Sequence, residues 1–121
     1  DELLQLIAAS GGVVGVNFHV GFLTGDPAES VHRRTVVKHI LYMVDVMGPD
    51  HVALGSDFDG AHPPVGLKTG AVIQLLAHDL LDKGLSRQVV DKIMYANALR
   101  VFAQVTAPDP EQLAWLTTAL P

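Results

Sequence analysis

Two carboxylates, Asp57 and Asp59, stand two residues apart in the segment Gly55-Ser56-Asp57-Phe58-Asp59-Gly60. The segment follows directly on the short apolar run His51-Val52-Ala53-Leu54, which reads as a buried strand. A carboxylate at a strand end can ligate a divalent cation, orient a water, or act as general acid or base. In parallel α/β folds, sites lie beyond the carboxyl ends of the strands. In an extended segment, residues two apart project to the same side, and Gly55 and Gly60 let the backbone turn on either flank. The alternative is that both carboxylates cap the turn by accepting backbone amides.

An earlier apolar run, Val13 to Phe18, ends in Asn17-Phe18-His19, with Phe22 close behind. If the two strands are neighbours, this loop opens onto the same face, and His19 there can bind metal or substrate. The alternative for His19 is a solvent-facing loop histidine. His62, in His62-Pro63-Pro64, belongs to the carboxylate loop and is a candidate to line it. His32 and His39 lie seven apart on a helix without a His-Glu-x-x-His pattern, and read as helix-surface or interface residues. His51 starts a strand and His78 lies within a helix. Asn97 is expected to cap its helix. Arg34 and Arg100 read as surface or salt-bridge residues, and Trp115 as packing the last helix onto the body.

The elements that must position these groups follow from spacing. Leu3, Leu4 and Ile7 mark a helix that Gly11-Gly12 stops. His19 to Gly25 reads as a loop. Asp26-Pro27-Ala28-Glu29 reads as a helix start, with a cap, a first-turn proline and a capping-box acid. Val37, Ile40, Leu41, Val44 and Met47 form one stripe of that helix, and Gly48-Pro49 ends it. Val72, Leu75, Leu76 and Leu80 mark another helix, closed by Gly84. Ser86 caps a further one carrying Val89, Val90, Ile93 and Met94. Leu99, Val101, Phe102 and Val105 continue at helical spacing. After Pro108 and Pro110, Leu113, Trp115 and Leu116 mark a last amphipathic stretch.

Strands alternating with long helices imply parallel pairing. Two strands, apolar on both faces, make a poor sheet by themselves and require neighbours. A (β/α)8 barrel would supply them, at about 250 residues. The chain is therefore expected to be one portion of a longer polypeptide, an expectation that fits its abrupt helical start without an initiator Met. Residues 1–105 are expected to form the barrel portion and 106–121 a helical tail.

Composition narrows the function. A composition of 49% hydrophobic and 17% charged residues argues against disorder. A net charge of −5 argues against a nucleic-acid or anionic-membrane footprint. Cysteine is absent, so there is no disulfide framework or thiolate metal site, which fits a reducing, cytoplasmic compartment. The apolar stretches fall far short of the roughly 20 residues of a bilayer helix. The acidic Asp1 and Glu2 do not make a signal-peptide start, so no membrane anchor is expected in this chain.

Several of these residues, taken together, are familiar. Gly12-Val13-Val14 with Val16-Asn17-Phe18, His51-Val52 with Gly55-Ser56-Asp57-Phe58-Asp59-Gly60, Gly66-Leu67, and Asn97 with Leu99-Arg100-Val101-Phe102 resemble the C-terminal third of the membrane (renal) dipeptidase family, peptidase M19. The resemblance runs from about Leu3 to Val105. It implies an α/β fold, the last two β/α units of a (β/α)8 TIM-type barrel plus C-terminal helices, in a metal-dependent hydrolase. It implies two zinc ions as cofactor, a dipeptide substrate and a homodimeric parent. By that resemblance Val13 to Phe18 are the seventh strand and Val52 to Gly55 the eighth. Asp57 then matches the catalytic aspartate, taking a proton from the attacking water and handing it to the leaving amine; zinc lowers the pKa of water, and a nearby carboxylate can shuttle the proton. His19 and Phe22 fall where the family sets aromatic residues against substrate, His19 replacing a tyrosine-like position. Asp59 and His62 are expected beside them as substrate-binding residues.

The family's metal ligands are a His-x-Asp on the first strand, a bridging Glu and two later histidines. This chain has no His-x-Asp, and its only glutamates are Glu2, Glu29 and Glu111, none at a strand end. The zinc ligands are thus expected in the remainder of the barrel, and the isolated chain is expected to hold no catalytic zinc and hydrolyse nothing. Two other readings compete. A haloacid-dehalogenase-type phosphotransferase uses Asp-x-Asp-Gly after a strand, but needs a further strand where only helices follow. A non-catalytic fragment would oligomerise through open sheet edges.

Overall fold

A computed structural model of the chain describes residues 1–26, 30–107 and 111. The expected final helix of Leu113, Trp115 and Leu116 lies outside the described residues, as do Pro27, Ala28 and Glu29 of the expected helix start. Helix α1 (Glu2–Ala9) leads into β1 (Val14–Val16), then α2 (Val20–Thr24), α3 (Arg34–Met47) and β2 (Val52–Leu54). A 3-10 turn at Gly70–Val72 precedes α4 (Gln74–Asp82). The last run is α5 (Arg87–Asp91), a π-helical turn Lys92–Ala96 and α6 (Asn97–Thr106).

The two strands pair in parallel, Val14 opposite Val52, Gly15 opposite Ala53 and Val16 opposite Leu54. The expected strand order and direction therefore hold, with three residues in each strand. Both carboxyl ends point the same way, so the loops after β1 and β2 meet on one side. Gly55 does not serve to turn the chain: a Cβ there would stand 2.9 Å from the Gly15 carbonyl oxygen, so its role is the close approach of neighbouring backbones.

α3 crosses from one strand to the other and buries Val36, Val37, Ile40, Met43 and Met47. The stripe is rotated from the expected one, with Leu41 and Val44 half-buried at its rim. These residues meet Val16, Phe18, Val52, Leu67, Leu76, Leu80, Val90 and Ile93 in a single core. Helix α3 starts at Arg34 rather than at Asp26. The described residues just before it are not helical, because His32 forms a parallel bridge to Val65. The segment after His19, read as a loop, contains α2, which is too short to show a period. It ends at Gly25, whose φ of 83° suits the left-handed cap that glycine favours.

The amino ends of the strands are tied by the last helical run. Asn97 caps nothing, because helix continues on both sides of it. It is 3% exposed and donates from Nδ2 to the Pro49 and Val52 carbonyl oxygens, each at 2.8 Å. Arg100 is not a free surface residue: its guanidinium donates to Gly11 O and Asp50 O, both at 2.9 Å, gripping the chain just before each strand. His51 Nδ1 lies 2.8 Å from Gly12 O; a carbonyl only accepts, so Nδ1 carries the proton. His39, read as a helix-surface residue, is half-buried and bonds Leu23 O at 3.0 Å.

Candidate active site at the strand carboxyl ends

The chain leaves β2 through Gly55 and Ser56 and turns at once. Asp57 has φ 56° and Asp59 φ 71°, both in the left-handed region that Asp tolerates better than most residues. The Asp57 carbonyl accepts from Gly60 N–H at 3.3 Å and Ala61 N–H at 2.9 Å. The loop is thus a tight turn, not an extended segment, and the expectation that Asp57 and Asp59 project together through strand-like alternation is corrected. A strand-like period requires negative φ, which neither residue has.

The carboxylate of Asp57 is not spent on its own turn. Its Oδ2 accepts from Asn17 Nδ2 at 3.1 Å, linking the ends of the two strands. Asn17 Oδ1 in turn accepts from His19 N–H at 2.7 Å. From there the two loops are zipped together: His62 N–H donates to His19 Nδ1 at 3.2 Å, and Val20 N–H donates to His62 O at 3.0 Å. Further out, Val65 N–H donates to Val31 O at 2.8 Å and Arg33 N–H to Val65 O at 3.0 Å.

Aromatic rings complete the mouth. His19 meets Phe22 edge to face at 4.9 Å and lies 6.2 Å from the ring of His62. Phe22 is 72% exposed, a large apolar side chain held at the opening. Beneath them, the buried Phe18 meets Phe58 edge to face at 5.9 Å and seats the carboxylate loop on the core. Asp59 is exposed in the same turn and takes no part in these bonds.

The structure thus brings His19, Phe22 and His62 into one cluster beside Asp57, and leaves Asp59 at its exposed edge. Sequence reasoning missed Asn17. The available signal was an amide side chain one residue past a strand, on the same loop as His19. It also missed Arg33, which pairs with Asp79 through two bonds, Nε to Oδ2 at 2.7 Å and Nη2 to Oδ1 at 3.1 Å. That pair fixes the base of the loop after β1 on α4. Two clefts of about 420 and 310 Å³ lie between α3 and α4 and between α4 and α5, away from the strand ends.

Among the described residues, no three His, Cys, Asp or Glu side chains gather where they could hold a metal ion. The donors at the mouth are already engaged: Asp57 Oδ2 faces an amide donor, and His19 Nδ1 a backbone N–H. These residues alone do not fit a metal centre.

A parallel βαβ unit with a carboxylate and aromatic rings at its strand carboxyl ends has the arrangement of a section of a (β/α)8 barrel. The chain belongs to the membrane dipeptidase family (peptidase family M19), whose model matches residues 1–113. It is 44% identical over 107 residues to an "uncharacterized protein in pqqA 5′ region" of Klebsiella pneumoniae, covering 87% of this chain and 40% of that protein. It is 39% identical over 107 residues to the dipeptidase ataJ of Aspergillus terreus, covering 87% of this chain and 26% of that one. Among solved structures it is similar to dipeptidase AC, a metallopeptidase of family M19, with TM-score 0.74 and 32% identity over 79% of this chain and 29% of that chain. A Rhodobacter sphaeroides metallopeptidase liganded with a phosphinate mimic of L-Ala-D-Ala matches with the same TM-score of 0.74 and 32% identity, over 79% of this chain and 28% of that one. The chain therefore spans well under half the length of these relatives and constitutes part of a barrel. The family is one of metallopeptidases, which implies a metal cofactor. The phosphotransferase reading of Asp57-Phe58-Asp59-Gly60 finds no support in these relatives.

Proposed function

We propose that the complete protein to which this segment belongs is a zinc-dependent dipeptidase, and that Asp57 is its proton-transfer residue. The observation that carries this reading is the position of the Asp57 carboxylate. It stands past the carboxyl end of β2, bonded across to the end of β1 rather than to backbone amides of its own turn. Strand carboxyl ends are where barrel enzymes place chemistry. Zinc, bound by residues of the rest of the barrel, supplies Lewis acidity when present.

The residues of this chain do the remaining work. A carboxylate oxygen of Asp57 takes a proton from the attacking water and delivers it to the leaving amine nitrogen, which needs hydrogen-bond reach to both. His19, Phe22 and His62 form a wall for a substrate side chain. Asp59 supplies a second carboxylate at the rim. L-Ala-D-Ala is the first dipeptide to assay, because a similar peptidase holds its mimic.

The test is Asp57→Asn in the full-length, zinc-loaded protein. Asparagine keeps the shape and removes the proton acceptor. kcat for dipeptide hydrolysis is expected to fall by about 10²–10⁴-fold, with zinc content unchanged by elemental analysis. A variant that turns over at the wild-type rate would defeat the assignment.

A further inference from the structure

We infer that Asn17 and Gly60 are positioning residues that together set the direction of the Asp57 carboxylate. The inference rests on the proton-transfer reading of Asp57 and assigns the groups that aim it.

Asn17 stands one residue past β1, and its amide orientation is decided by chemistry. The backbone N–H of His19 can only donate, so the amide atom 2.7 Å from it must be the oxygen. The other arm then presents its NH2 to Asp57 Oδ2 at 3.1 Å. Flipping the amide would set the NH2 against an N–H and the oxygen against a carboxylate, losing both bonds. Asn17 is therefore a one-way connector, accepting from its own loop and donating to the loop of the other strand.

Gly60 acts on the other oxygen. A Cβ built on it would fall 2.7 Å from Asp57 Oδ1, closer than real Cβ atoms approach an oxygen. The neighbour that would yield is the tip of the Asp57 side chain, because the backbone of residue 60 is held by its bond to Asp57 O. Gly60 does not have a positive φ, so its backbone does not demand glycine. What demands it is the space occupied by the carboxylate. One oxygen is thus held by a donor, and the other lies in a space that only a residue without Cβ leaves open.

The experiment uses the full-length, metal-loaded enzyme with a dipeptide substrate, and measures kcat, KM, metal content and melting temperature. Asn17→Asp is the informative variant. It keeps the size of the side chain and the acceptor for His19 N–H, and sets a like-charged oxygen where the donor faced Asp57 Oδ2, so the Asp57 carboxylate is pushed out of its direction. A carboxylate misplaced by about 1 Å costs on the order of 100-fold in rate. Asn17→Asp is accordingly expected to lower kcat by about 100-fold, with KM within about threefold of wild type and metal content and melting unchanged. Gly60→Ala is expected to lower kcat by about tenfold with the same unchanged readouts. If Asn17→Asp does not fold, Asn17→Ser, which keeps an oxygen for His19 N–H but is too short to reach Asp57, takes its place with the same expected loss. Wild-type kcat in Asn17→Asp, alongside an inactive Asp57→Asn, would reduce Asn17 to a cap for the His19 amide and overturn the inference. Wild-type kcat in Gly60→Ala would overturn the steric half. An active Asp57→Asn would instead remove the proton-transfer reading itself, so the two failures are told apart.

Discussion

Asp57 and Asp59 hold a backbone conformation that L-residues avoid, at a cost of about 1–3 kcal/mol each. The turn they make brings the carboxylate of Asp57 back over the strand end, where Asn17 meets it. A second carboxylate illustrates a different use of charge. Asp50, just before β2, pairs with Lys92 of the π turn. The hydrogen bond from Lys92 is the main cause that holds its carboxyl below the usual range. Slight burial opposes the shift, while the charges of Lys92, His51 and Arg100 add to it. A carboxylate with a lowered folded pKa stabilises the fold above its unfolded value, near pH 4, and that contribution is lost as pH falls through the folded value. The Asp50 side chain is 55% exposed, so solvent screening limits the gain to at most about 1 kcal/mol. Lys92→Met is accordingly expected to lower the melting temperature slightly near neutral pH. The difference from wild type should shrink as pH is taken from about 6 toward 3. A gap that stays constant over that range would show that the pair does not carry it.

At the scale of elements, the amino ends of β1 and β2 are tied down and the carboxyl ends carry the candidate chemistry. Asn97 and Arg100 anchor the first, through carbonyls of the chain just before the strands and of Val52. Replacing Asn97 by Leu leaves Pro49 O and Val52 O without that donor in a buried place. The expected cost is roughly 2–4 kcal/mol, read as a lower midpoint in urea unfolding of the full-length protein. A midpoint shift worth less than about 0.5 kcal/mol would mean that water replaces the amide. The parallel pair was legible in the sequence because Val13 to Phe18 and His51 to Gly55 are short apolar runs separated by a helix-long stripe. The Ser86 cap was legible because a cap is local, and Val89 N–H does donate to Ser86 Oγ. The roles of Asn97 and Arg100 were not, because their partners lie about 45 to 89 residues away in the chain. The turn at Asp57 was misread for a related reason: glycine advertises positive φ in a sequence, and aspartate does not. His19, Phe22 and His62 were each singled out, but their meeting in one cluster depends on strand adjacency and on the zip between two loops.

At the scale of the molecule, the described sheet has two strands, each hydrogen-bonded along one edge only. A parallel sheet is covered on both faces and continues sideways, and in a closed barrel no edge remains. Leu3 and Leu6 of α1, Phe22 at the mouth, and Phe102 and Val105 of α6 are exposed. They join the open edges as apolar surface with nothing described against it. Such a surface favours association or exchange of elements when the segment is made alone. The 121-residue chain in isolation is therefore expected to elute from size-exclusion columns as species larger than a monomer. It is also expected to leave L-Ala-D-Ala uncut even with added zinc, since its described residues gather no metal-binding group. Co-expression with the remainder of the barrel should restore both a single defined species and zinc-dependent hydrolysis. A monomeric isolated segment that cleaves the dipeptide with zinc would show instead that this portion carries a complete site.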